Sequence, residues 1–468
     1  MRIVGSENYM NKALLYFIIF LLAACNTSQN KSTAVYFGGE IVNPTSEYVV
    51  LFKGDIALDT AYLDQNNRFT FQLDSVDEGL HHFYHFPEEQ YVILERGDSI
   101  QLRLNTVDFD ESLVFSGTND QVNNFLLEMF LVNEQEEELI YTYYELEPES
   151  FRNKIDSLKN IKLEALNNLS LEAELSDAGM EIAKAGIMYT SYIFKEAYPF
   201  YHKRKKGEKS MHNLPPDFYD YRADIKYDEN GLSYYRPYYN FMKYHLGNLS
   251  YMDCKNGCET ENMMAKNQLH FNQHKLKLID SLIKQNELRD NLFRNVAMDY
   301  LLKYDKEENI EIFIKEFHQL SGNNRHIHEI NGLYDGVRNL QPQKELPEFL
   351  VYDSEGNKVS IKDIGKDRMV VFYFWSAPRK RHFTNMINRI NLLKEKYPDY
   401  TFIGLNVRTD HARWNNMLEV SQLDKNEQFW TENFEEVAHT LIVYDPNRSI
   451  IANDGIIVDA FANVYTSF

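Results

Sequence analysis

The sequence predicts a multidomain α+β protein with an N-terminal β-sandwich, a helical middle domain and a C-terminal α/β domain. Three patterns carry this: short apolar/polar alternations between turn signals over 34–117, a 3.6-residue apolar period over 118–340, and strand–helix–strand patterning within 345–468. The chain has 468 residues, 44% hydrophobic and 14% aromatic, which is ample for several buried cores. Its formal charge of -21 argues against nucleic acid as a partner and against charge-driven adhesion to anionic lipid.

At the N-terminus, Lys12 precedes an apolar stretch over 13–24 that closes on Leu22, Ala23, Ala24 and Cys25. It is too short to span a bilayer and suits the core of a signal peptide. Residues 1–9 lie upstream of that pattern, so Met1 and Met10 are both candidate starts. The ending resembles the lipobox of bacterial lipoproteins. That resemblance implies a signal peptide over 1–25, diacylglycerol on the Cys25 thiol and a membrane partner reached through lipid. Asn26 follows where Asp would imply inner-membrane retention, so the expected location is the cell envelope, on the periplasmic face of the outer membrane. No later stretch is long and apolar enough to cross a bilayer.

Over 34–117 the pattern predicts strands at 34–42, 48–52, 56–63, 68–73, 79–86, 91–95 and 99–104, separated by turns such as Lys53-Gly54 and Arg96-Gly97-Asp98. Ile100, Leu102 and Leu104 alternate with polar residues, as on a half-buried strand. His81, His82 and His85 look like a ligand cluster, but a period of two points His82 away from the other two, so no metal is expected there.

Thr118-Asn119-Asp120 is a helix-capping cluster before a stripe of Val122, Phe125, Leu126, Met129 and Phe130. Further helices are expected at 148–169, 176–200, 234–249, 261–282, 288–304 and 309–320, with breaks at 203–207, 214–216 and 321–324. Aromatic residues over 218–244 suit a core or stacking on sugars, the one basis for a glycan-uptake reading. His318, His326, His328 and Glu329 match no zinc spacing, and no cofactor motif occurs, so neither metal nor cofactor is expected. Cys254 and Cys258 flank an Asn256-Gly257 turn. In an oxidising compartment this spacing points to a structural disulfide, with a redox-active dithiol as the sharper alternative; metal binding would need further ligands.

Near the C-terminus, 369–375 is a run of apolar β-formers suited to a strand buried on both faces. After Pro378 the period becomes helical through Phe383, Met386, Ile387, Ile390 and Leu393, until Tyr397-Pro398 stops it. A second buried strand over 401–407 and a helix over 411–420, with Trp414 and Met417 or Leu418 inward, complete a βαβ unit.

From about Leu346 onward the chain resembles the extracytoplasmic thioredoxin-fold reductases of the TlpA/ResA-like family, in the form found in Bacteroidetes-type lipoproteins. The resemblance rests on the Asp353-Ser-Glu-Gly356 hairpin turn, the Phe374-Trp375 pair and Pro446 placed ahead of a glycine turn at Gly455. It implies a thioredoxin-like domain, with a short or missing closing helix, and a groove beside Trp375 and Pro446. The family holds that proline in cis, against its reactive cysteines. The W-C-x-x-C motif is absent: Arg379 and His382 stand at the two cysteine positions, making this a degenerate member. Thiol exchange needs a thiolate, which neither residue supplies, so conventional C-x-x-C catalysis is excluded. Arg379, Lys380 and Arg381 crowd the positive end of a helix, as a solvated first turn or as an anion site. The expected function is non-catalytic binding of an envelope protein or peptide of unknown identity. The alternative is a thiol-disulfide oxidoreductase, using Cys254 and Cys258 if it is an enzyme.

Overall fold

The computed structural model describes residues 33–208, 211–229, 231–252, 260–261, 264–303 and 305–468. Cys25 and its signal segment, and Cys254 and Cys258, lie outside the described residues. The chain folds as two compact units: the described residues up to Thr142 with Asp156–Met188, and Tyr143–Ile155 with Tyr189–Phe468. The sequence boundaries near 118 and 345 mark changes of element type. They do not coincide with the units, because periodicity reveals an apolar face and not the core on which that face packs.

The first unit contains β1 (Val35–Val42), β2 (Tyr48–Lys53), β3 (Ile56–Tyr62), β4 (Arg68–Leu73), β5 (Gly79–His85), β6 (Glu88–Leu94) and β7 (Ser99–Asn105). A short α1 (Phe109–Ser112) and β8 (Val114–Gly117), neither expected from the sequence, follow. The strands form two four-stranded sheets, ordered β4-β1-β7-β8 and β3-β2-β5-β6. Both sheets feed one apolar core containing Phe37, Leu51, Phe71, Phe83, Val92 and Ile100. On β7, Ile100, Leu102 and Leu104 are buried and their neighbours are not, the alternation of a strand with one wet face. α2 (Asp120–Tyr143) carries Asn123, whose side chain accepts from Ile93 N at 2.7 Å and donates to Ile93 O. Leu127, not Leu126, is the buried leucine of this helix.

α3 (Pro148–Glu172) and α4 (Asp177–Lys206) follow, each with residues in both units. α4 runs through the basic cluster expected to break it. Lys203 to Lys206 form its last turn, where cations suit exposed carbonyls, and Gly207, at φ 65, ends it.

In the second unit come α5 (Arg236–Met252), a minimal hairpin of β9 (Thr260–Glu261) and β10 (Met264–Ala265), α6 (Gln268–Leu282), α7 (Asn286–Leu301), α8 (Glu307–Ser321) and α9 (Ile327–Asn339). The helix expected from residue 261 starts at Gln268, capped by Asn267, and α9 was not expected. β11 (Leu350–Tyr352), β12 (Lys358–Ser360), α10 (Ile361–Gly365), β13 (Met369–Trp375), α11 (Lys380–Lys396), β14 (Tyr400–Asn406) and α12 (His411–Val420) follow. The last elements are β15 (Gln428–Trp430), α13 (Phe434–Leu441), β16 (Arg448–Asn453) and β17 (Ile456–Asn463).

Their seven strands form one mixed sheet ordered β12-β11-β15-β14-β13-β16-β17. β13 and β14 are parallel, joined through α11, while β16 runs antiparallel to β13 and β17 antiparallel to β16. The result is a βαβ unit extended by a hairpin, with β13 in the sheet interior and buried along nearly its whole length. α11 covers one face through Phe383, Met386, Ile390 and Leu393, and α12 adds Trp414 and Leu418.

Candidate functional site

The site forms where β13 gives way to α11. A strand that is apolar throughout stays in the sheet until Trp375; Ser376, Ala377 and Pro378 then turn the chain, and Arg379 occupies the N-cap of α11. The turn is pinned from the loop after β14. Val407 N donates to Trp375 O at 2.9 Å, and Ala377 N donates to Thr409 Oγ1 at 3.1 Å.

Trp375 itself belongs to the core. Its indole Nε1 donates to Gln428 Oε1 at 3.0 Å, Gln428 Nε2 donates to the Tyr373 hydroxyl at 2.9 Å, and its ring packs on Phe383. Gly404 makes room for that amide, since a Cβ there would stand 2.1 Å from Gln428 Oε1. Burial pushes the Tyr373 phenol well above its usual value, keeping it a neutral hydrogen-bonding group.

Beyond the turn lies a cavity of about 210 Å³. Arg379, His382, Trp375 and Pro446 all line it, so the four residues singled out in the C-terminal sequence come together. The sequence did not single out Arg408, Phe434 or Tyr444, which line it too. Arg408 sits at φ 52, just past the end of β14, with its guanidinium 3.7 Å from the centre of the Phe434 ring. The available signal was positional: crevices in open α/β sheets lie outside the carboxyl ends of parallel strands, and Arg408 follows such an end. α13 supplies Phe434, Glu435 and Ala438 to the wall. α9 approaches the end of α13 closely: a Cβ on Gly336 would lie 2.4 Å from Ile442 Cδ1.

The electrostatics are basic on one side. The first turn of α11 has no acidic residue, the Arg379 side chain makes no cap hydrogen bond, and Lys380 and Arg381 are exposed beside it. The His382 ring nitrogens are shut off from solvent without a partner of good geometry, near Asn447 and the Pro446 carbonyl. Burial lowers its pKa, and the Arg379 charge acts in the same direction, so the ring is neutral near pH 7. The bond before Pro446 is trans; among the described residues the cis bond is Phe86-Pro87. The cis isomer that the resemblance implies for this proline is therefore not found.

His81, His82, His85, His326 and Glu329 have structural partners. His81 and His85 are buried on one face of β5, while His82 stacks on Phe52 on the other. His326 is the N-cap residue of α9, and Glu329 binds Arg294 with Nε to Oε2 at 2.6 Å. No helix among the described residues is long and apolar enough to cross a membrane.

No protein-family model matches the chain, and no curated protein matches it. Several solved structures do align. The thioredoxin domain of a thiol-disulfide oxidoreductase from Bacteroides vulgatus is 21% identical, covering 26% of this chain and 87% of that one, with a TM-score of 0.22. An exposed lipoprotein thioredoxin from Streptococcus pneumoniae is 15% identical over 24% of this chain and 87% of its own, with a TM-score of 0.20. A thioredoxin-like protein from Bacteroides caccae is 12% identical over 42% of this chain and 74% of its own, with a TM-score of 0.28.

Proposed function

We propose that this chain is a lipid-anchored cell-envelope protein of three parts: a β-sandwich over 34–117, a helical part over 118–340 and a thioredoxin-like part over 345–468. The last part binds a protein or peptide ligand without thiol chemistry. One observation carries this reading. The cavity at the β13–α11 junction is lined by Arg379 and His382, the residues that the resemblance sets at a reductase's cysteine positions, and among the described residues no sulfur-bearing side chain lines it.

An engineered apolar cavity of about 150 Å³ takes benzene, so 210 Å³ accommodates one aromatic or branched side chain of a ligand. Phe374, Val407, Phe434 and Val443 supply apolar wall, while Arg379 and Arg408 suit an acidic group next to that side chain. Arginine at the helix start supplies charge and donors but no nucleophile.

Binding is tested by selecting from a displayed peptide library on the wild type and remeasuring the selected peptides on Arg379→Glu and Ala438→Leu. Arg379 is exposed, so its charge reversal tests the site without unfolding it. A loss of about 10-fold or more, roughly 1.4 kcal/mol, is expected from the reversal. Thiol-dependent reduction of insulin that vanishes in Cys254→Ala/Cys258→Ala would overturn the non-catalytic reading. Radiolabelled palmitate tests the anchor: a mature protein that takes up none has no lipid on Cys25.

A further inference from the structure

A set of residues different from the histidines singled out in the sequence converges in space. Among the described residues, His202, Glu208 and His212 bring one ligand atom each within 4.8 Å of one another. We infer that these three side chains form a binding site for a divalent transition-metal ion of the zinc type, at the C-terminal end of α4.

His202 is the buried member of the set, its side chain without solvent exposure. Its Nδ1 lies 2.8 Å from the carbonyl oxygen of Tyr144, an acceptor only, so Nδ1 carries a proton and the neutral ring keeps its lone pair on Nε2. That Nε2 is buried without a hydrogen-bond partner. Its neighbour in the cluster is Glu208 Oε1 at 3.9 Å, another electron-pair donor when ionised. A buried lone pair facing a carboxylate is unfavourable unless a cation lies between them.

His212 closes the set from the other side of the carboxylate. Its Nδ1 lies 3.0 Å from Glu208 Oε1, and its Nε2 lies 3.3 Å from Glu147 Oε2. Its ring meets His202 edge-on, with centroids 4.9 Å apart. An imidazolium held between two carboxylates would satisfy His212 alone and leave His202 Nε2 orphaned. A metal ion satisfies all three ligands. With bonds of about 2.0–2.1 Å, tetrahedral ligands stand about 3.3 Å apart, so the two observed separations bracket the geometry a zinc ion requires.

The outer contacts fit as well. Metal-bound histidines usually donate their second N–H to a carbonyl or carboxylate, which fixes the ring. Here Tyr144 O receives the His202 proton and Glu147 is placed to receive that of His212. Two imidazoles and a carboxylate suit zinc and its first-row neighbours better than calcium or magnesium. Glu208 and His212 are each 30% exposed, which leaves a path for the ion and room for a water as fourth ligand.

The test uses purified, chelator-treated protein in a Cys254→Ser/Cys258→Ser background, so that thiolates do not compete. Zinc alone is titrated against a chromophoric chelator, and cobalt(II) reports geometry through its visible absorption. The expected result is one zinc per chain with Kd below about 1 µM, together with a tetrahedral cobalt spectrum. Glu208→Gln and His212→Ala should each weaken binding about 100-fold or more, and Glu147→Gln about 10-fold. Both ligand variants alter partly exposed side chains, and unchanged circular dichroism verifies their folding. Absence of micromolar binding, meaning an ion pair only, overturns the inference. So does zinc binding that is unchanged in Glu208→Gln and His212→Ala.

Discussion

Replacing Gln428 with leucine removes the amide that joins Trp375 to Tyr373. In the wild type that one side chain accepts from the indole at 3.0 Å and donates to the phenol at 2.9 Å, with both aromatic residues 1% exposed. Leucine has similar bulk but no polar atom, so the indole N–H and the phenol lose their partner where water does not reach. Each orphaned group costs about 1–3 kcal/mol, partly offset by the better transfer of leucine into the core, giving a net loss of about 2–4 kcal/mol. The assay is urea unfolding followed by tryptophan fluorescence. All 3 tryptophans, Trp375, Trp414 and Trp430, lie in the C-terminal sheet and its helices, so the signal reports that region alone. Trp375→Phe removes the indole donor, and combined with Gln428→Leu it should cost at least about 1 kcal/mol less than the sum of the singles. A midpoint shift worth less than about 0.5 kcal/mol for Gln428→Leu would refute the view that this network holds the turn.

Two further predictions concern charge in the helical region. Glu196 is fully buried and accepts from Arg222 Nε at 3.0 Å, the Tyr221 hydroxyl at 2.9 Å and His245 Nδ1 at 2.7 Å. Burial raises its pKa, but the His245 and Arg222 hydrogen bonds outweigh that and hold the carboxyl below its usual value. Its stabilisation is therefore complete above the ordinary carboxylate pKa and lost as pH falls through the lowered one. Glu196→Gln should cost about 3 kcal/mol at pH 7 and flatten that acid-side loss in denaturation curves taken at successive pH values. Lys275 is buried with Asp299 at 3.8 Å, and burial lowers its pKa to about 8. Between there and its ordinary value of 10.5 the unfolded chain holds the extra proton, so stability should rise with pH. Lys275→Met should abolish that rise and leave stability at pH 7 unchanged or higher, as calorimetry would show.

Local pattern made much of the fold legible. Ile100, Leu102 and Leu104 announced their strand by alternation, and the apolar run ending at Trp375 announced an interior strand of the C-terminal sheet. Arg379, His382, Trp375 and Pro446 were legible through the family resemblance, and they do share a cavity. Properties set by distant residues were not legible. Arg408 enters the cavity through a left-handed turn that its own sequence does not demand. The role of Trp375 as a core donor depends on Gln428, far along the chain, and on the missing Cβ of Gly404. His202 sits in a basic helix end and carries no local sign of a ligand, because the carbonyl that orients its ring belongs to Tyr144, in the turn after α2. The Asp445–Pro446 peptide isomer is likewise set by tertiary surroundings, and it is trans where the resemblance implies cis.

If the β13–α11 cavity captures a ligand by shape and charge and not through sulfur, binding must be indifferent to redox state and sensitive to the charge at the helix start. Both are read at once from the affinity of a selected peptide for wild type and Arg379→Glu, each with and without reductant. The expected result is one wild-type affinity under both conditions and a loss of about 10-fold or more in Arg379→Glu. Binding that disappears on reduction, leaves a mixed disulfide, or ignores the charge reversal would contradict it.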